Sequence, residues 1–154
     1  MFIMTPESST KQAPEGFGLN KRELAEKLKS RGINPTAQRI EIAHLLFERP
    51  QHLSAEEIYQ QINTEYEQVS QATVYNTLRL FVEKNVLREL IFSSDRIYYD
   101  SNTAPHHHFI DVDTGEILDL PAECVQSQPA LSLKDFDADV SEISILVKGR
   151  RVRS

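Results

Sequence analysis

The chain has 154 residues, 40% hydrophobic side chains and a formal net charge of −6, which fits one domain or two small ones. No apolar run is long enough to span a membrane, and the N-terminus lacks a basic-then-apolar signal pattern, so we expect a cytoplasmic protein. The single cysteine, Cys124, excludes an internal disulfide and a zinc site built from several thiolates.

The acidic charge is unevenly distributed along the chain. Residues 20–92 carry ten Lys/Arg and ten Asp/Glu, whereas residues 93–154 carry six and eleven. A neutral first half with basic clusters permits contact with nucleic acid, although the whole chain is acidic.

Four helices are predicted in the first half, after a Pro-, Ser- and Gly-rich extension over residues 1–19 that we expect to be disordered. Their start signals are Asn20, Pro35 or Thr36, Ser54 and Ser70. Three stop signals follow, namely Gly32, Pro50 and Asn85, the last as a left-handed cap. Two β-rich runs, residues 87–92 and 96–99, then flank a polar turn. Helices followed by a hairpin predict a winged helix-turn-helix over residues 20–100.

The solvent face of the fourth helix carries side chains that bond phosphates and base edges. With the residues that begin the helix, this candidate DNA-binding set is Ser70, Gln71, Thr73, Tyr75, Asn76 and Arg79. A recognition helix enters the major groove by its N-terminal residues, so the pattern favours DNA binding. The plainer alternative is a helical domain with a hairpin and no DNA role.

Three consecutive histidines, His106 to His108, begin the next segment after a joint at residues 101–105. In an extended strand His106 and His108 share one face and His107 points away. Carboxylates flank the run at Asp100 and Asp119, and His52 lies upstream. Imidazole and carboxylate groups bind divalent metals, although a histidine run alone is also typical of a surface loop or a local metal trap.

A second hairpin would bring Asp119 to the histidines. Thr114-Gly115 can turn the chain, so strands 106–112 and 117–120 are predicted to pair antiparallel. With a two-residue loop, Asp119 would face Ile110 and lie diagonally from His108 on the same face.

Further along, Ile143, Ile145 and Val147 alternate with polar residues. Alternation of this kind predicts an edge strand that buries one face in a homodimer.

Three segments resemble successive signatures of the ferric uptake regulator superfamily. They are GINPTAQR at 32–39, HLSAEEIY at 52–59 and ATVYNTL at 72–78. The resemblance implies that Arg39 and Tyr75 contact DNA, that the wing braces the DNA backbone, and that residues 106–154 form a small α/β dimerisation and metal-sensing domain. The predicted fold class is therefore α+β.

The same resemblance assigns a regulatory metal site. Its ligands would be His52, Asp100, His106, His108 and Asp119, in the pattern of members that sense iron or peroxide. All-N/O ligands suit Fe²⁺ or Mn²⁺, and Zn²⁺ binds such sets as well or better.

Departures from the family pattern point to one branch of the family. Asp111 and Thr114 stand where a Cys-x-x-Cys pair would be, so we expect no structural Cys₄ zinc. The histidine run then resembles the iron response regulator branch, which implies haem as a possible ligand of His106, His107 and His108. The Cys-Pro haem motif of some members is missing, because Val125 follows Cys124.

The expected function is an iron- or haem-responsive repressor in iron homeostasis that binds A·T-rich operator DNA as a dimer, with no enzyme activity. The first alternative is a peroxide-sensing regulator, whose site has the same five ligand types. A metalloenzyme built on the His-x-His hairpin and a protein-interaction module are less favoured, since neither accounts for both the helix face and the ligand set.

Overall fold

A computed structural model describes residues 16–125, 133 and 135–152. Most of the expected N-terminal extension therefore lies outside the described residues. The elements in chain order are α1 Lys21–Ser30, α2 Ala37–Leu46, β1 His52–Ser54, α3 Ala55–Ile62, α4 Gln71–Glu83, β2 Arg88–Ser93, β3 Arg96–Asp100, β4 His107–Asp111, β5 Ile117–Leu120, a 3₁₀ turn Ala122–Cys124 and β6 Leu146–Gly149. The chain divides into two compact units, one ending at Asn102 and the other beginning at Thr103.

The four helices begin where the sequence predicts. Asn20 caps α1 and Ser54 caps α3, each with a Glu three residues later that completes a capping box. Thr36 caps α2 and Ser70 caps α4 through the side-chain oxygen. These caps satisfy amide groups that a helix leaves without partners at its first turn.

The first unit has a single apolar core under its helices. Leu24 of α1, Ile42 of α2, Ile58 of α3 and Leu78 of α4 are all fully buried. Asn85 ends the last helix with a φ of 56°, which is the left-handed conformation that the sequence predicts there. The core therefore fixes which face of α4 is buried, and the opposite face of the helix stays in solvent.

The wing is a three-stranded sheet of order β1-β3-β2, one strand more than the predicted hairpin. The additional strand, β1, is only three residues long and pairs antiparallel with β3. Its register places His52 directly opposite Asp100. Pairing across the wing sheet therefore joins two residues that are 48 positions apart.

The second unit contains a three-stranded sheet of order β5-β4-β6. The antiparallel pairing of β4 with β5 is confirmed, but the predicted register is wrong. Ile110 lies opposite Ile117 and His108 lies opposite Asp119, because the loop spans residues 112–116 rather than two residues. The error is two residues, an even number, so Asp119 stays on the predicted face.

The edge strand β6 runs parallel to β4, with His108 opposite Leu146. It begins three residues later than the alternating pattern from Ile143 indicates. Ile143 and Val147 are 37% and 41% exposed, so an apolar strip remains on the described surface of this unit.

The residues predicted as a joint, 101–105, contain the boundary between the two units. Ser101 is nevertheless buried in the first unit and donates a hydrogen bond to the carbonyl of Leu46 at 2.9 Å. In the described ranges, no helix is long and apolar enough to cross a bilayer.

Candidate metal centre and nucleic-acid interface

In the first unit, one imidazole and one carboxylate form a buried pair. The His52 Nε2 atom lies 3.3 Å from Asp100 Oδ2, and the two side chains are 5% and 1% exposed. The other carboxylate oxygen of Asp100 accepts a hydrogen bond from the Asn102 amide at 2.8 Å. The pair is thus oriented by the strand register on one side and by a backbone amide on the other.

In the second unit, two imidazoles converge on one carboxylate oxygen. Asp119 Oδ1 lies 3.1 Å from His106 Nε2 and 3.5 Å from His108 Nε2. The two rings meet edge to face, with their centroids 4.5 Å apart. This cluster follows from the direct pairing of His108 with Asp119, whereas His106 precedes the strand and reaches the same oxygen.

A backbone carbonyl fixes the proton on His106. Its Nδ1 lies 2.6 Å from the carbonyl oxygen of Ala104, and because a carbonyl can only accept, Nδ1 must carry the hydrogen. Nε2 is the ring nitrogen directed toward Asp119 Oδ1, and a carbonyl bond behind the ring is common for metal-binding histidines. The donors of this cluster therefore fit Fe²⁺, Mn²⁺ or Zn²⁺.

His107 makes a different contact from its neighbours. Its Nδ1 accepts a hydrogen bond from the Ile145 amide at 3.2 Å. The three consecutive histidines therefore do not act as one group, since two face Asp119 and one is bonded to the chain segment that leads into β6.

Most of the candidate DNA-binding residues of α4 lie on its outer face. Gln71, Tyr75, Asn76 and Arg79 are exposed, while Val74 on the opposite face is fully buried. These four side chains are therefore directed to solvent.

The hydroxyl groups that begin α4 are already hydrogen-bonded. Ser70 Oγ accepts from the Thr73 amide at 3.2 Å and lies 2.9 Å from the Thr73 hydroxyl. Arg39 lies on α2 and donates to the carbonyl of Asn34 at 2.9 Å. In the structure, these groups form hydrogen bonds at the beginnings of α4 and α2.

The structure shows two features near these sites that the sequence did not indicate. The Ala104 carbonyl that orients His106 has no sequence signal, because every residue has a carbonyl. Arg96 and Tyr99 on β3 border the same cleft as Tyr75. Burial along β3 does not alternate, so the strand pattern gave no signal for them.

A winged helix whose α4 exposes a polar face, followed by an imidazole–carboxylate cluster, is typical of metal-binding transcription regulators. Residues 30–147 match the ferric uptake regulator family. The chain is 31% identical over 127 residues to the peroxide-responsive repressor PerR of Staphylococcus aureus strain Mu50, covering 82% of this chain and 86% of that protein. The PerR of Staphylococcus epidermidis is 33% identical over 117 residues, covering 75% and 78%. This chain belongs to the ferric uptake regulator family.

Solved structures agree with the α+β fold. The ferric uptake regulator of Vibrio cholerae superposes with a TM-score of 0.67 at 24% identity, covering 83% of this chain and 99% of that one. The predicted fold class is thereby confirmed. Membership of a family of transcription regulators also supports, at the level of the family, a protein that is not an enzyme.

Proposed function

We propose that this protein is a metal-responsive, DNA-binding repressor that acts as a homodimer in iron homeostasis. The observation that carries the proposal is the convergence of His106 and His108 on Asp119, at distances of 3.1 and 3.5 Å, in a family of metal-responsive regulators. When bound, the metal supplies a positive charge that several donors can share.

The regulatory ion would be bound by five residues: His52, Asp100, His106, His108 and Asp119. Only residues 101–105 separate the end of β3 from His106, and a connection of this length would allow both groups of donors to reach one ion. Binding one ion with donors from both units would restrict the joint between them. A complete switch between a free and a restricted arrangement of the two units requires that the ion bind the restricted arrangement roughly 10⁴-fold more tightly. Several metal bonds can supply that difference.

Substitution of single histidines tests this ligand set. His52→Ala, His106→Ala and His108→Ala should each weaken metal binding strongly, measured by titration calorimetry. His107→Ala should keep it, because its ring is bonded to the Ile145 amide. His44, exposed on α2, offers a matched control. Equal losses for the three consecutive histidines, with no effect at His52, would contradict the five-residue site and leave a local metal-binding loop.

DNA recognition would use the exposed face of α4, with Arg39, the capping Ser70 and the Thr73 hydroxyl close to the DNA backbone. A·T-rich operators suit Asn and Gln side chains, which pair with adenine. Tyr75→Ala or Arg79→Ala should abolish operator binding in a mobility shift while the circular dichroism spectrum is unchanged. Tyr66, 65% exposed, provides the control substitution. Full affinity in either helix variant would refute this recognition surface.

Dimerisation would rest on apolar contact through the second unit. The strip at Ile143 and Val147 is exposed in the single chain, and β6 is an edge strand that can extend a sheet. Sedimentation at micromolar concentration should therefore give a dimer that persists with chelator. A monomer, or a dimer lost on chelation, would argue against this interface.

The signal itself has two candidates besides iron. Haem would use His106, His107 and His108, although the contact of His107 with Ile145 opposes a joint role. A peroxide signal is favoured by a specific observation, namely that both Staphylococcus relatives are peroxide-responsive repressors. The experiment that separates these signals is metal analysis and haem titration, each followed by a DNA-binding assay. Peroxide should release DNA from the iron-loaded protein and not from the zinc-loaded protein, because Zn²⁺ has no redox chemistry.

A further inference from the structure

The side chain of Asn63 connects the end of α3 to the start of α4. Its Oδ1 accepts hydrogen bonds from the amides of Gln68 at 2.8 Å and Val69 at 3.0 Å. Its Nδ2 donates to the Val69 carbonyl at 2.9 Å, and the Gln68 side chain adds a longer bond of 3.2 Å to the carbonyl of Ile62. Both backbone polar groups of Val69 are thus bonded to one side-chain amide, and α4 begins two residues later, at Gln71.

Val69 is the point at which this amide can act on α4. Its side chain is 1% exposed and belongs to the apolar core of the first unit, so the core fixes the side chain while Asn63 fixes the backbone. Ser70 follows directly and caps α4 by accepting from the Thr73 amide at 3.2 Å. A shift of the Val69 backbone would therefore pass to the cap and to the first turn of α4.

The outer part of the turn, residues 64–67, is exposed to solvent. The Thr64 hydroxyl donates to the carbonyls of Gln60 and Gln61, so its hydrogen bonds are made with α3. Exposed segments of this kind open locally at a low free-energy cost. The placement of the first turn of α4 therefore depends on the contacts of Val69, where the chain returns to the core.

We propose that Asn63 is a positioning residue for DNA recognition, which acts through the placement of α4. The proposal rests on the proposed binding of DNA by α4 and extends it to a residue outside the candidate DNA-binding set. Base contacts by the first turns of the helix require exact placement, whereas non-specific binding depends mainly on charge. Loss of the Asn63 contacts should therefore reduce discrimination between DNA sequences more than it reduces binding in general.

The first experiment compares two duplexes of equal length. One is selected from a random library by the metal-loaded, full-length wild type, and the other is an unrelated sequence. Asn63→Ala removes the three side-chain bonds but keeps the main-chain bond from residue 63 to the Tyr59 carbonyl that ends α3. The ratio of the two affinities, measured by mobility shift, should fall about tenfold, as for the loss of one good base contact. The salt dependence of binding to the unrelated duplex should stay as in the wild type. An affinity ratio equal to that of the wild type would overturn the proposal.

Two variants separate positioning from a general loosening of the turn. Asn63→Asp keeps the acceptor for the amides of Gln68 and Val69 and loses the donor. Its added charge weakens binding to both duplexes and so largely cancels in the ratio, which should lie between the values of the wild type and Asn63→Ala. Thr64→Ala, the matched control in the same turn, should keep the wild-type ratio. A ratio as low as that of Asn63→Ala in either variant would refute the positioning role.

Hydrogen exchange in the DNA-free protein measures the start of α4 directly. The amides of Thr73 and Val74 are both bonded to Ser70, and they should exchange severalfold faster in Asn63→Ala, because their helix start opens more often. Wild-type rates at these amides would overturn the proposal. A wild-type protein that selects no duplex in any metal state would overturn the DNA-binding function as well. Normal selection by the wild type, with an unchanged affinity ratio in Asn63→Ala, would overturn the positioning role alone.

Discussion

Substitution of His107 tests how much its hydrogen bond with Ile145 stabilises the sheet of the second unit. Its Nδ1 accepts the Ile145 amide hydrogen at 3.2 Å, and the Ile145 carbonyl accepts from the His108 amide at 3.0 Å. Ile145 is therefore bonded twice to β4, immediately before β6 begins. His107→Leu retains a side chain of moderate size and removes the acceptor of the first bond.

The expected loss of stability can be estimated from the hydrogen bond that is removed. A neutral hydrogen bond contributes about 1 kcal/mol net, and an amide left in a half-buried position costs about 1–3 kcal/mol. A loss of about 1.4 kcal/mol corresponds to a tenfold change in an opening equilibrium. Amide hydrogen exchange over residues 145–149 should therefore be about tenfold faster in His107→Leu, measured by mass spectrometry or NMR.

The control is His107→Asn, which places a carbonyl oxygen close to the position of Nδ1 and can accept the same hydrogen. Exchange in this variant should return toward the wild-type rate. If His107→Leu exchanges at the wild-type rate, the hydrogen bond does not stabilise β6. If both variants exchange equally fast, packing of the imidazole ring, rather than its acceptor atom, explains the effect.

Three further substitutions test packing and helix capping within each unit. Leu78→Ala, at a fully buried position, should destabilise the first unit by about 3 kcal/mol, and an unchanged urea midpoint would contradict the core assignment. Ser54→Ala removes the cap of α3 and should cost about 1 kcal/mol, with Ser54→Thr as the variant that keeps a hydroxyl. In Gly149→Ala the new Cβ would lie 3.1 Å from Phe109 Cε2, so this variant should lower the thermal midpoint of the second unit by a few degrees. A Gly149→Ala midpoint equal to the wild type would show that the ring moves without cost.

The family and the positions of the helices can be predicted from the sequence, because the signals for both lie in short stretches of the chain. A helix cap depends on a side chain and an amide three residues away, so the capping boxes at Asn20 and Ser54 are visible in a stretch of four letters. The left-handed turn at Asn85 and the exposed face of α4 have the same local origin. These local signals are sufficient to predict the candidate DNA-binding surface on α4.

Tertiary structure decided the contacts between distant segments. The three-residue strand β1 is too short to carry an alternating pattern, and it forms because β3 supplies hydrogen-bonding partners at its edge. The register of β4 and β5 depends on a five-residue loop whose length the Thr114-Gly115 signal does not specify. Direct pairing of His108 with Asp119 and of His52 with Asp100 therefore follows from which backbone groups find partners across the sheets, and that choice is made by the packing of the whole unit.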